Sequence, residues 1–217
     1  MKTISLLSFI MLCCSAPGIS QWNFNLTTGF SPKATPVSAG LILNRHLPHE
    51  EFVFSVAKVN HQFFMGLKAQ MEMSNSFFAD IGLTYTKQNS TFQMDYTLIN
   101  DAHPQSRQLL TKSKHLLVVP VNIGARLGAF DMTSGFRAFH TIEMETELDR
   151  MRGFSSSGSL FNMGWQWGGG FYMSGARVGV EYQGNFSRLG SDINFNGQSL
   201  VMMNIPGQWI LTFQHRL

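Results

Sequence analysis

Residues 161–182 read FNMGWQWGGGFYMSGARVGVEY. Phe161, Met163, Trp165 and Trp167 alternate with Asn162, Gly164, Gln166 and Gly168. Ala176, Val178, Val180 and Tyr182 then alternate with Arg177, Gly179, Glu181 and Gln183. A period of two is the pattern of a strand with one apolar and one polar face. Gly169 to Gly175 supplies the Gly and Ser that a turn favours. The stretch is a β-hairpin, and the same alternation recurs along the chain.

Working outward, six further segments carry it. Trp22 to Phe30 sets Trp22, Phe24, Leu26 and Phe30 against Asn23, Asn25, Thr27 and Gly29. His61 to Met73 sets Phe63, Met65, Leu67, Ala69 and Met71 against Gln62, Gly66, Lys68, Gln70 and Glu72. Phe77 to Thr86, His115 to Ala129, Phe136 to Glu145 and Gln208 to Leu217 follow the same rule. Phe52, Phe54 and Val56 form a shorter run, expected to be a loop strand standing above the sheet. Pro120 lies inside the fourth segment. It has no N–H to give a ladder, so a bulge is expected there. Ser74 to Ser76 and Asp131 to Gly135 read as turns, and Lys87 to Lys114 as a long polar loop.

The reading gives eight strands whose connections alternate long and short. Even strand number, short periplasmic turns and long extracellular loops are the habit of outer-membrane barrels. The expected fold is therefore all-β: an eight-stranded antiparallel up-and-down transmembrane β-barrel spanning residues 21–217. A soluble barrel around an apolar ligand would show the same alternation inside out. Three features favour the membrane. Gly66, Gly82, Gly124, Gly164, Gly168 and Gly179 fall on the polar face, where a narrow lumen needs small residues. Tyr85, Trp165, Trp167, Tyr182 and Trp209 fall on the apolar face as an aromatic girdle. The last segment runs to the last residue, so closure of the barrel is expected to use it.

The first 20 residues are set apart from the fold. Lys2, the apolar run Ile4 to Cys14, and Gly18-Ile19-Ser20 make a signal peptide with cleavage before Gln21. Cys13 and Cys14 are the chain's two cysteines, and both leave with it. A lipoprotein signal would want a small residue where Leu12 precedes Cys13. Charged residues make up only 13%, and the net charge of +3 gives no strongly basic surface for nucleic acid. No later run is long and apolar enough for a membrane helix.

The polar face carries ten charges, expected to fill the lumen as paired ions: Lys68, Arg126, Arg137, Arg177 and Arg216 against Glu72, Asp80, Glu143, Glu145 and Glu181. Buried charges must be paired, and eight strands enclose a space that side chains can fill. The alternative is a path for small ions. His46, His49, Glu50, Glu51 and His61 could ligate a metal, but their spacing is not that of a helical zinc motif, and a solvated loop is the expectation. His140 is the nearest catalytic candidate. Thr141 points to the opposite face, which leaves only a partner from a neighbouring strand such as the region of Ser159. No phosphate-binding glycine loop is present, since Gly168-Gly169-Gly170 opens no helix. No catalytic residue, cofactor or metal is therefore expected.

The runs LKAQMEMSNSFFADIGLTYTK, HLLVVPVNIGARLG, GWQWGGGFYMSGARVGVEYQ and the terminal WILTFQHRL resemble the PorT-like outer-membrane β-barrel proteins of Bacteroidetes, over about residues 61–217. Gln21 after the cleavage site is similar to exported proteins of that group. Leu217 stands where such barrels usually end in Phe, and residues 31–60 have no clear counterpart. The resemblance implies a non-enzymatic barrel of the cell envelope, with a link to protein secretion or gliding machinery. Its expected partners are outer-membrane lipid and lipopolysaccharide, the insertion machinery, and envelope proteins met through the loops. A lipid-modifying enzyme and a small-solute channel are the rival functions.

Overall fold

The computed structural model describes residues 22–31, 35–36, 40–44, 50–98, 106–150, 153–156, 161–186, 193–200 and 207–217. Residues 1–20, read above as a signal peptide, lie outside them. Eight strands form the barrel: β1 (Trp22–Phe30), β4 (Glu50–Glu72), β5 (Phe77–Leu98), β6 (Ser106–Leu127), β7 (Phe130–Thr146), β9 (Phe161–Met173), β10 (Ala176–Asn185) and β13 (Gln208–Arg216). Each pairs antiparallel with its neighbours in chain order, and β1 pairs with both β13 and β4, which closes the ring. Two short strands, β2 (Thr35–Pro36) and β3 (Gly40–Asn44), lie along β4. A second small sheet joins β8 (Phe154–Ser156), β11 (Ile193–Phe195) and β12 (Gln198–Ser199).

The short turns are tighter than the sequence suggests. Ser174 and Gly175 make the whole β9–β10 turn, at φ 45° and 84°, as a two-residue hairpin with both central residues left-handed requires. Strand β9 runs through Gly169 and Gly170, which the sequence places in the turn. Gly128 and Ala129 connect β6 to β7, so Asp131 to Gly135 is strand and not turn. At the β4–β5 turn, the Ser74 hydroxyl accepts the N–H groups of Ser76 and Phe77 at 3.3 and 3.1 Å.

The barrel wall has uneven height. β4 to β7 are long, whereas β9, β10, β13 and β1 stop early. Most of Lys87 to Lys114 is therefore strand, and the Phe52–Val56 run is the upper part of β4 itself. The alternation of β5 shows why the sequence reading stops short. At its turn end Phe77, Ile81, Leu83 and Tyr85 face outward and Asp80, Thr84 and Thr86 inward. Beyond Lys87 the outward positions become Gln93 and Asp95, while the buried inward ones become Phe92 and Met94. The apolar face changes sides along one strand, so a search for outward apolar residues loses it.

Bulges reinforce this change. The β6–β7 ladder passes from Leu116–Thr141 to His115–Glu143, leaving Ile142 as the extra residue. A one-residue insertion turns every later side chain to the other face. Two register shifts also occur in β4, between Val56 and Lys58 and between Val59 and Gln62. Pro120 needs no bulge. Its ladder with β5 lapses between Val121–Ile81 and Val118–Thr84 and resumes in the same register. The gap accommodates the missing N–H, opposite Gly82.

Above the barrel mouth the inner face of the tall wall carries Phe54, Val56, Val59, Phe92, Met94 and Leu110. Leu148, Phe154, Ile193 and Leu200 close over them to form a buried apolar cluster. Phe54 stacks on Phe92 at 5.3 Å and meets Phe154 at 5.5 Å. The small sheet of β8, β11 and β12 is the lid of this cluster.

Candidate functional site

The lumen is filled with polar side chains that reach across the ring. The Arg177 guanidinium donates from Nε and Nη2 to the two oxygens of Asp131, both at 2.7 Å, with both side chains buried. Its Nη1 lies 4.0 Å from Glu181, which also meets Lys68 at 3.6 Å. The Asn122 amide donates to Asp80 at 2.7 Å and accepts from Gln166 at 2.8 Å. Arg137 donates to Gln183 and, at 2.7 Å, to Asn185. Its guanidinium also lies 5.5 Å from the centre of the Phe139 ring. Nearer the turns, Arg126 donates to Glu72 at 3.2 Å and to the Tyr172 hydroxyl at 3.3 Å.

The glycines of β9 make this crossing feasible. A Cβ on Gly170 would lie 2.5 Å from the Arg177 guanidinium, and one on Gly168 would lie 2.8 Å from Glu181 Cγ. A Cβ on Gly164 would lie 3.0 Å from Asn185 Oδ1 and 3.1 Å from Arg137 Nε. The glycine-rich run of the opening hairpin is therefore room for side chains rooted on other strands.

Of the ten charges read from the sequence as luminal, Lys68, Asp80, Arg137, Arg177 and Glu181 are buried in the lumen, and Glu72 and Arg126 lie half-buried toward the turns. Arg216 is exposed at the turn-end mouth. Glu143 and Glu145 are not in the lumen. They follow the Ile142 bulge, so their side chains stand on the outer face, exposed. Asp131 takes their place: it is fully buried. At the height of the apolar belt, Lys68, Arg126, Arg137 and Arg177 thus face Glu72, Asp80, Asp131 and Glu181. The alternation of Phe130, Met132 and Phe136 could have extended the strand to Asp131. The inner face is also less polar than the sequence suggests, since Leu116, Val118 and Phe139 cluster there.

Two voids remain. Beside Lys68, Arg137, Gln166 and Glu181 the lumen leaves about 20 Å³, room for one water molecule. At the turn end a cavity of about 260 Å³ is lined by polar side chains and Gly175.

Outside, Trp165, Trp167, Tyr182 and Trp209 form one aromatic patch on β9, β10 and β13. Tyr182 and Trp209 are 5.0 Å apart, and Trp167 and Trp209 are 5.5 Å apart, edge to face. Tyr85 stands on the tall wall instead, its hydroxyl hydrogen-bonded to His115 Nδ1. His140 is exposed and paired with Leu117 and Phe161, neither of which offers a nucleophile. Ser159 lies outside the described residues, as do His46 and His49. For Glu50, Glu51 and His61 only the backbone is described.

No protein-family model matches the sequence, and no curated protein does. Among solved structures, the chain is similar to the outer membrane protein OprG from Pseudomonas aeruginosa, at 12% identity and a TM-score of 0.46, over 92% of this chain and 98% of that one.

Proposed function

We propose that this chain is an integral outer-membrane barrel without enzymatic activity, exported through a cleaved signal peptide. It serves the envelope as a structural or partner-binding component. The observation that carries this reading is the change of faces along β5. From Phe77 to Tyr85 the outward side is apolar, and from Lys87 onward it is polar while the inward side becomes apolar. A strand in a single solvent has no reason to invert. A strand that leaves hydrocarbon for water does. The outward belt supports the same boundary, for among the described residues it carries no Asp, Glu, Lys or Arg between the turns and the level of Lys87 and Glu143. On β6 that belt runs from Leu117 to Leu127. At about 3.3 Å per residue and a tilt of about 40°, this is roughly 25 Å, the height of a membrane barrel's apolar band.

The filled lumen supports a structural role over conduction. The capped tall wall offers partners a rigid surface beyond the lipid headgroups. In the PorT-like reading, those partners belong to secretion or gliding machinery. The test is fractionation and affinity purification of the tagged full chain. It should sediment with outer membranes, need detergent to stay in solution, and bring down an envelope protein in fixed stoichiometry. A protein that is soluble and monomeric without detergent would overturn the membrane reading. One that is embedded but always purifies alone would overturn the partner role.

A further inference from the structure

We infer that the turn-end mouth of the barrel is a binding site for a small oxyanion, the carboxylate or phosphate group of a solute. The cavity there, about 260 Å³, is lined by amide, charged and phenol side chains and Gly175, with no aliphatic side chain among the described residues. An interior pocket of a folded protein usually mixes apolar walls with a few polar groups. Here the walls include the amides of Asn25, Gln70 and Gln214 and the hydroxyl of Tyr172, all able to donate hydrogen bonds.

The charge count points to an anion. Arg177 is neutralised by Asp131, and Arg126 by Glu72. Arg216 also lines the cavity, and among the described residues its side chain has no hydrogen bond or ion pair. One positive charge is therefore left over. Arg126 adds donors at the cavity wall: Nη1 and Nη2 give one N–H each to Glu72 and Tyr172, and each nitrogen carries a second hydrogen. Two guanidinium groups lining one cavity suit the oxygens of a carboxylate or phosphate. The volume exceeds several waters, each of which occupies about 30 Å³ in the liquid. An ion of the size of phosphate or succinate fits. The site lies below the Arg177–Asp131 layer, so a bound anion would be held at the mouth without passing through.

The experiment is calorimetric titration of the full-length barrel in a non-ionic detergent, with inorganic phosphate and with succinate as separate arms and glycerol as the neutral control. Binding of either anion in the millimolar range is expected, and the arm that binds identifies the chemical source. Arg216→Gln removes an exposed side chain with no structural partner, so the barrel should fold, as judged by its faster gel migration before heating. It should weaken binding about tenfold or more, the value of a charge-assisted contact. Arg126→Gln should do the same, and Lys87→Gln, on the outer wall, should not. The inference is overturned if neither anion binds up to about 10 mM, if glycerol binds equally well, or if a folded Arg216→Gln barrel binds as the parent does.

Discussion

Arg177 and Asp131 clasp each other over the top of β9, joined by two hydrogen bonds of 2.7 Å above the missing side chain of Gly170. Removing one member of a buried pair leaves the other charge stranded. Asp131→Ala should therefore cost about 3–5 kcal/mol, and adding Arg177→Met should restore part of the loss. Gly170→Ala tests the same spot by crowding and should cost about 1–3 kcal/mol. Urea unfolding of the refolded barrel, followed by tryptophan fluorescence, would check all three. Full additivity of the double substitution would show that the residues are not coupled.

The middle of β6 separates the two faces. Val121 is exposed and outward, so Val121→Arg should cost about 2–4 kcal/mol in a lipid bilayer. Asn122 beside it is buried and holds both Asp80 and Gln166. Asn122→Ala should cost about 1–3 kcal/mol by leaving Asp80 without its donor. Asn122→Arg should be worse still. The polar pattern alone suggests that this arginine would cost less than one at Val121, limited by crowding, but the space beside Asn122 is already taken by Asp80 and Gln166. Equilibrium unfolding in vesicles gives each value.

Thiol accessibility can map the edge of the bilayer. The chain has no cysteine after Cys14, so single substitutions are clean probes. Val121→Cys should resist a bulky, water-soluble maleimide in vesicles, and Glu143→Cys should react quickly. Equal reaction at both sites would remove the lipid boundary drawn between them.

The lid above the barrel should be separable from the barrel itself. Leu148 is fully buried in the apolar cluster. Leu148→Ala should cost about 2–5 kcal/mol locally. Hydrogen exchange should quicken in β8 and β11 and stay slow in β9 and β10. Uniform quickening would mean that the lid and ring form one cooperative unit.

Planar-bilayer recordings should show no steady nanosiemens-scale current. Lys68, Asp131, Arg177 and Glu181 occupy the cross-section, and the remaining midlevel void holds no more than a water.

What the sequence makes legible follows the solvent. Where Phe77 to Tyr85 or Leu117 to Leu127 alternates apolar outward with polar inward, the period stands out, and all eight barrel strands can be found from it. Above Lys87 the wall has water on one side and the lid on the other. Its apolar residues are sparse and inward, and the alternation resembles a polar loop. Glu143 and Glu145 are misplaced for a sharper reason. Counting by twos carries no information about an inserted residue, and Ile142 is as apolar as the outward positions before it. The bulge is visible only when His115 and Leu116 are paired across the strands. Asp131 is missed because Asp resembles a turn residue, although the turn needs only Gly128 and Ala129.

The lid also sets an order of events. Its β8 strand comes from the connection before the β9–β10 hairpin and its β11 strand from the connection after it. The β9–β10 hairpin brings the two together, and they bury their apolar side chains only where Phe54 and Phe92 line the tall wall beneath. Contacts between distant parts of the chain form late, because the intervening loop must first be closed. Burial of Phe154 against Phe54 and Phe195 is therefore a clock hand for assembly: a probe placed there would report the moment at which the connections on either side of that hairpin come together over the tall wall.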